Sequence, residues 1–369
     1  MKTMDRNRTM GVLAAIFTLG VLLLPAVASA QADWQKRWDE AVAAAKKEGT
    51  VVVAASPSPG TRREIEPAFM KKFGFRLEYM ALGGAQATAR VEREAAAGVA
   101  TIDVLLSGNT ELFNLLPAGR LEPIADKLLL PEVLDPAQWR ENKLKFTDPE
   151  QRYMLQTMEY ILPDVFINTS VIKKGTINSW EDLLKPEYTG KIASFDPRRG
   201  GQGQAIAAYL LDQRKADFIK RLYIGQKVTY TGDRRQLGDW LARGIYPIAI
   251  AVATREVENH RKLGIPIERV FPRDVGGVTG GSSVIKIVKN APHPNGAAVF
   301  LNWFLTREPQ QVYQRTNEMV SRRRDAGVEG VPDYVVPLEG RKYLDTYSLE
   351  YMKFYPKASK MLRDLLGGR

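Results

Sequence analysis

Short apolar runs alternate with stretches of helical period along nearly the whole chain. Trp34, Trp38, Val42 and Ala45 recur at helical spacing and predict a helix that stops at Gly49. Val51 to Ala55 is a continuous apolar run, read as a buried strand, and it ends in the loop Ser56-Pro57-Ser58-Pro59-Gly60-Thr61. A helix from Arg62 to Phe73 follows, and Arg76 to Met80 alternates as a second strand. Gly83-Gly84 opens a helix over Ala85 to Ala97, and Ile102 to Leu106 is a third strand running into Ser107-Gly108-Asn109-Thr110. Strands alternating with helices predict a mostly parallel sheet covered on both faces.

A similar unit restarts in mid-chain. Ser179 is placed as an N-cap before Glu181 and Asp182, where a helix dipole favours acids. Lys191 to Phe195 is strand-like and leads through Asp196-Pro197-Arg198-Arg199-Gly200-Gly201-Gln202-Gly203 into a helix over Gln204 to Leu211. Tyr246 to Ala253 and Val284 to Val288 are further strands, and a helix spans Asn295 to Leu305. The tail beyond Val331 is rich in Tyr and Pro and carries one amphipathic helix toward Leu366. The pattern predicts two α/β lobes.

The first 30 residues change that picture. Lys2, Arg6 and Arg8 precede an apolar run from Gly11 to Leu24, then Pro25 and the small-residue end Ala28-Ser29-Ala30. This is the layout of a cleaved signal peptide, and the run is shorter than the roughly 20 residues that span a bilayer. The chain has 369 residues and a formal charge of +11; the leader's three basic and one acidic residue account for +2, leaving +9. There is no cysteine. Disulfides, thiolate metal sites, a cysteine nucleophile and a lipoprotein anchor are therefore excluded. An exported, unanchored protein of this kind fits the periplasm.

Four loops share one design, in which a strand ends, small residues follow and a helix begins: Ser56 to Thr61, Gly83 to Thr88, Ser107 to Thr110, and Asp196 to Gln202. Each can present helix N-terminal amides at one sheet edge, where such sheets bind ligands, although turn chemistry alone accounts for any single one. Arg62, Arg198, Arg199, Arg234, Arg235 and Arg255 stand beside these loops, which points to an anionic solute. Gly200-Gly201-Gln202-Gly203 is neither a P-loop nor a dinucleotide fingerprint. The two histidines, His260 and His293, read as solvated and as a pre-helix turn, and no catalytic motif occurs. Basic residues are dispersed among acids, apart from Arg322-Arg323-Arg324, so nucleic acid is not an expected partner. Glu159 defaults to a salt bridge.

Several segments, in order, resemble the extracellular solute-binding proteins of bacterial ABC importers, family 1, in the subgroup that includes ferric-iron binders. They are Trp38 to Gly49 with the strand after it, Phe166-Ile167-Asn168-Thr169, Trp180 to Leu183 through Tyr188 to Ala193 and Asp196-Pro197, and Ala291 to Ala298 with Phe300 to Leu305. The resemblance covers nearly all of the mature chain. It implies the type 2 periplasmic-binding fold, a clamshell with two crossing strands near Glu159 to Phe166 and Gly277 to Val284. Residues 31–159 and 281–369 would form the first lobe and 160–280 the second. The implied partners are a small solute and an inner-membrane permease, with no cofactor, no catalysis and a monomeric state.

The iron-binding members place adjacent tyrosines after the strand that corresponds to Ile248 to Ala253. Here Val252-Ala253-Thr254-Arg255 stands there, and Arg255 would repel a ferric ion. The expected ligand-contacting set is Ser56, Ser58, Gly60, Thr61 and Arg62, then Ser107, Gly108 and Asn109, from the first lobe. Tyr160 would lie at the crossing, with Arg198, Arg199, Gly200, Gly201, Gln202, Arg234, Thr254 and Arg255 from the second lobe. A ferric-iron or ferric-chelate binder, with Tyr230, Tyr246 or Tyr160 as ligands, is the alternative. A periplasmic α/β enzyme using carboxylates is the alternative of another class.

Overall fold

The computed structural model describes residues 33–162, 165–199, 201–270, 276–338 and 340–367. The expected leader, 1–30, and Gly200 lie outside them. Among the described residues the strands form three sheets of seven, five and three strands.

In the first sheet the strand Thr50–Ala55 runs parallel to Arg76–Ala81 on one side and to Val104–Ser107 on the other. The next strand, Val284–Val288, is antiparallel to Val104–Ser107, so the sheet is mixed rather than all parallel. Val51, Val53 and Ala55 enter one buried cluster and Ala54 another, on the opposite face. Burial on both faces explains why the run lacks polar alternation.

The second sheet is ordered Thr229–Thr231, Ile192–Phe195, Ile248–Ile250, Val165–Asn168, Ile267–Val270. Ile192, Ile248 and Ile167 face one cluster, while Ala193, Ala249 and Phe166 face the other. The two sheets make the two lobes of the type 2 periplasmic-binding fold.

The small third sheet joins them. Tyr160–Ile161 pairs antiparallel with Gly277–Thr279, with Tyr160 opposite Thr279, and Leu344–Asp345 lies parallel on the other side. A third passage of chain runs beside the first: the Glu159 amide donates to the Val320 carbonyl (2.7 Å) and the Arg322 amide to Thr157 (2.9 Å).

That passage corrects the expected course of the C-terminal segment. The helices Pro294–Phe304 and Arg307–Asn317 do pack with the first sheet's cluster. The final helix, Leu349–Leu366, instead buries Tyr351, Ala358, Leu362 and Leu366 in a cluster of the second lobe. Its Ser359 hydroxyl and Tyr355 hydroxyl both donate to Gln204 Oε1, at 2.9 and 3.1 Å. Ser179, expected to cap a helix, begins only a short 3-10 turn at Glu181–Leu184, in which Asp182 accepts the Ser179 amide and hydroxyl.

Candidate functional site between the lobes

Most of the first-lobe hydroxyls named from sequence are committed to structure. Ser58 caps the helix Pro59–Phe73, and its Oγ accepts the Thr61 hydroxyl at 2.9 Å. The Thr61 hydroxyl also meets Thr316 (2.7 Å) and accepts from Asn317 (2.9 Å), tying that helix to Arg307–Asn317. A Cβ on Gly60 would stand 3.3 Å from Thr316, so glycine permits this approach. Arg62 is exposed and paired with Glu66 one helical turn on, at 3.2 Å. Ser56 contributes its carbonyl, which accepts the Tyr79 hydroxyl at 2.6 Å.

The loop 107–109 rests on a buried ionic network. Lys286 Nζ donates to Ser107 Oγ (2.7 Å), to the Gly108 carbonyl (2.8 Å) and to Glu111 (3.2 Å). Glu111 accepts in turn from Ser107 and Thr88. Burial pulls the Lys286 pKa below its ordinary value, against the Glu111 charge. Ser107 is thus consumed beneath the loop rather than offered to a solute. Asn109 accepts the Thr147 hydroxyl at 2.6 Å through Oδ1, while its buried Nδ2 has no partner among the described residues. A buried amide donor without an acceptor costs free energy, and a solute oxygen would satisfy it.

At the crossing, the Tyr160 hydroxyl sits against Gly281, where an added Cβ would lie 2.5 Å from it. Gly281 is in the left-handed region at φ 56°, and its carbonyl accepts the Tyr347 hydroxyl. Burial raises the Tyr160 pKa to about 12, opposed by the positive charge of Arg234. Arg234 itself opens the second-lobe helix Arg234–Ala242.

The Gly-rich loop of the second lobe is built for close approach. Gly201 has φ 125°, and a Cβ on Gly203 would fall 2.2 Å from the Phe195 carbonyl oxygen. Arg198 is not free: it makes a two-pronged pair with Asp196, at 2.9 and 3.0 Å, and stacks 4.9 Å over the Tyr230 ring. Burial raises the Asp196 pKa, but the bonds from Arg198 and the charges of Arg198 and Arg199 hold it below its ordinary value. Arg199 adds a looser contact to Asp196 at 3.6 Å. Gln202 donates to the Val252 carbonyl at 3.2 Å, joining the start of helix Gln202–Ile219 to the loop before helix Thr254–Lys262. Ala251 in that loop is buried at φ 64°, a costly conformation for alanine that redirects the chain at the strand end.

Among the described residues Arg234 and Arg255, like Arg235, lack the ion pairs that hold Arg62, Arg198 and Arg199. Both are exposed, and neither has a carboxylate within ion-pair distance among the described residues. Burial raises the Tyr79 pKa to about 12 and lifts that of Glu318 above its ordinary value, and the positive charge of Arg255, at the start of its helix with Thr254, opposes both shifts. Two exposed guanidiniums without carboxylate partners thus stand in the first turns of the second-lobe helices Arg234–Ala242 and Thr254–Lys262.

Residues 66–318 match the family model of the bacterial extracellular solute-binding proteins. The chain belongs to that family. In it, the protein is the solute-capturing component of an ABC transporter. An uncharacterized protein of Haemophilus influenzae is 24% identical over 280 residues, covering 73% of this chain and 76% of its own length. Among solved structures, the periplasmic binding protein AfuA from Actinobacillus pleuropneumoniae, with fructose-6-phosphate bound, is 20% identical at a TM-score of 0.62. It covers 86% of this chain and 99% of its own. The Trichodesmium protein IdiA (FutA), in complex with iron and citrate, is 21% identical at a TM-score of 0.63, over 87% and 100% of the two chains. These likenesses are of the fold.

Within this solute-binding frame, no group of three or more His, Asp or Glu among the described residues is placed to hold a metal ion. Tyr230 lies under Arg198, and Tyr246 packs edge-on against Trp240 at 5.1 Å. His293 bonds the buried Asp103 through Nδ1 at 2.9 Å, and His260 lies 3.2 Å from Asp239 with its side chain 19% exposed, so it is packed rather than solvated. Sequence reading missed Lys286, Glu111, Tyr79 and Glu318. The one available signal was a lysine in the middle of the apolar strand Val284–Val288, since a charge there must find a buried partner.

Proposed function

We propose that this protein captures a small anionic solute in the periplasm and delivers it to an ABC permease, acting by binding alone. The observation that carries this reading is the pair Arg234 and Arg255, both exposed in the first turns of second-lobe helices and without a carboxylate within ion-pair distance among the described residues. A guanidinium in such a cleft binds an oxyanion through charge-assisted hydrogen bonds worth about 1.5–3 kcal/mol each. Asn109 Nδ2 and the amides opening helices Gln202–Ile219 and Thr254–Lys262, neither of which has a side-chain cap, supply further donors. A solute touching both lobes stabilises their approach, because only that arrangement satisfies donors from both.

In this reading the leader is removed after Ala30, and the mature monomer has no cysteine to carry a lipid. The first lobe takes 31–159 and the segment from 281 through helix Arg307–Asn317. The second takes 160–280 together with the C-terminal helix.

Fructose-6-phosphate in the AfuA structure and citrate in the Trichodesmium structure are both anions of a kind that would suit the same arginines. The deciding experiment is a thermal-shift panel of sugar phosphates, carboxylates and ferric chelates. A stabilising anion supports the reading, and stabilisation by neutral solutes alone defeats it. A phenolate-to-iron absorption band on adding ferric citrate would move the choice to direct iron ligation.

A further inference from the structure

The run Arg322-Arg323-Arg324 stood apart in the sequence, and the cleft does not use it. It lies on and just beyond the third passage, where a depression of about 510 Å³ is lined by Arg140, Glu141, Glu159, Arg323, Arg324 and Val328. Glu159 and Tyr160 are adjacent on the first crossing, so they point to opposite sides of it. Tyr160 meets Gly281 and feels Arg234, whereas Glu159 faces away, onto this depression.

The four arginines around it divide into two kinds. Arg322 is fully buried: its guanidinium bonds Glu159, the Arg140 carbonyl (3.2 Å) and Glu141 (3.3 Å), and its buried Nε has no partner among the described residues. Arg323, 2% exposed, is saturated by Asp325 (2.7 and 3.1 Å), Glu132 and the Leu305 carbonyl. Arg140 and Arg324 are not saturated. Each spends only its Nε, on the Ser321 carbonyl (3.3 Å) and the Trp139 carbonyl (3.0 Å) respectively. Neither has a carboxylate within ion-pair distance among the described residues. The carboxylates that line the depression are already engaged, Glu159 by Lys145 and Arg322, Glu141 by Arg322 and Lys143.

We propose that this depression is a second ligand site, in which the free Nη groups of Arg140 and Arg324 hold a small oxyanion of phosphate type. Two planar forks with unspent donors match the several acceptor oxygens of such an anion, and its charge relieves the repulsion among closely set guanidiniums. Burial in the first place, and Arg322 and Arg324 after it, pull the Arg140 pKa down while Glu159 opposes them, which records that crowding. Walls from the first and third passages make the site part of the hinge. It is independent of the cleft reading.

The test uses the full mature chain with inorganic phosphate as the probe, at constant ionic strength set with chloride. An Arg234→Gln/Arg255→Gln background weakens anion binding in the cleft without touching the depression. The expected result is a phosphate-dependent rise in melting temperature that persists in that background, with affinity falling about tenfold or more on adding Arg324→Gln. Arg324 is exposed, so this variant remains folded where Arg140→Gln could disturb Ser321. No phosphate dependence in the double variant, or a dependence unchanged by Arg324→Gln, overturns the site. Failure of the cleft reading shows separately, as wild type and the double variant binding the cleft solute equally.

Discussion

Lys286 and Glu111 form an ion pair of 3.2 Å in which neither side chain is exposed, directly beneath the loop 107–109. Breaking such a pair leaves one buried charge uncompensated, at a cost of about 3–5 kcal/mol. The surface pair Lys36–Glu40, at 4.0 Å with both side chains mostly exposed, is worth at most ~1 kcal/mol. Urea denaturation should therefore separate Lys286→Met, losing about 3–5 kcal/mol, from Lys36→Met, losing less than about 1 kcal/mol. Similar losses for the two would mean that the buried network does not support the loop.

The crossing depends on a missing side chain. A Cβ on Gly281 would meet the Tyr160 hydroxyl at 2.5 Å, Tyr160 Cε1 at 2.9 Å and Met319 Cε at 3.1 Å. Gly281→Ala should destabilise by about 1–3 kcal/mol through overpacking and its positive φ. Tyr160→Phe removes the closest contact and should restore part of the loss. Thermal melts of the two single variants and the pair give the coupling directly.

Glu318 predicts a pH dependence. Burial raises its pKa first, Glu258 and Glu256 raise it further, and Arg255 and Lys262 lower it, with a net upward shift from 4.5. A carboxyl with a raised folded pKa holds its proton longer in the native state. Native stability from this group is thus full at low pH and declines as pH rises from 4.5 through the folded value. Glu318→Gln should flatten that decline and raise stability at neutral pH. Denaturation midpoints measured from pH 4 to 8 check it; a wild-type curve no steeper than the variant's would refute the account.

Asp182 gives the opposite sign. Lys185 and the Asn178 amide, ahead of smaller contributions, hold its pKa at about 2 despite desolvation. Its stabilisation is present above the ordinary aspartate value of 3.8 and fades as pH falls toward 2. Asp182→Asn should lower stability at pH 7 and leave the protein less sensitive to acid between these limits.

The lobes were legible because Val51 to Ala55 and Ile248 to Ala251 are buried on both faces of their sheets, which writes continuous apolar runs into the sequence. The loops at the strand ends were legible for the same reason, as the polar and Gly-rich breaks between runs. Which arginines remain free was not. Arg198 and Arg234 look alike in sequence, yet Asp196 sits two residues before Arg198 in a turn that folds it back, while Asp233 caps its own helix and leaves Arg234 unpaired. The final helix, expected in the first lobe with the rest of 281–369, packs with the second sheet instead. Its apolar stripe fits any apolar surface, and only the third passage at 319–323 carries it to the second sheet.

In the proposed function Arg234 and Arg255 hold an anion, whereas Arg198 is structural, paired with Asp196. Calorimetric titration of the stabilising anion into wild type, Arg234→Gln, Arg255→Gln and Arg198→Gln tests this most directly. The account predicts about tenfold or greater loss of affinity for each of the first two variants. Arg198→Gln should instead lower the melting temperature while retaining most of the affinity. Unchanged affinity in Arg234→Gln and Arg255→Gln would contradict the account.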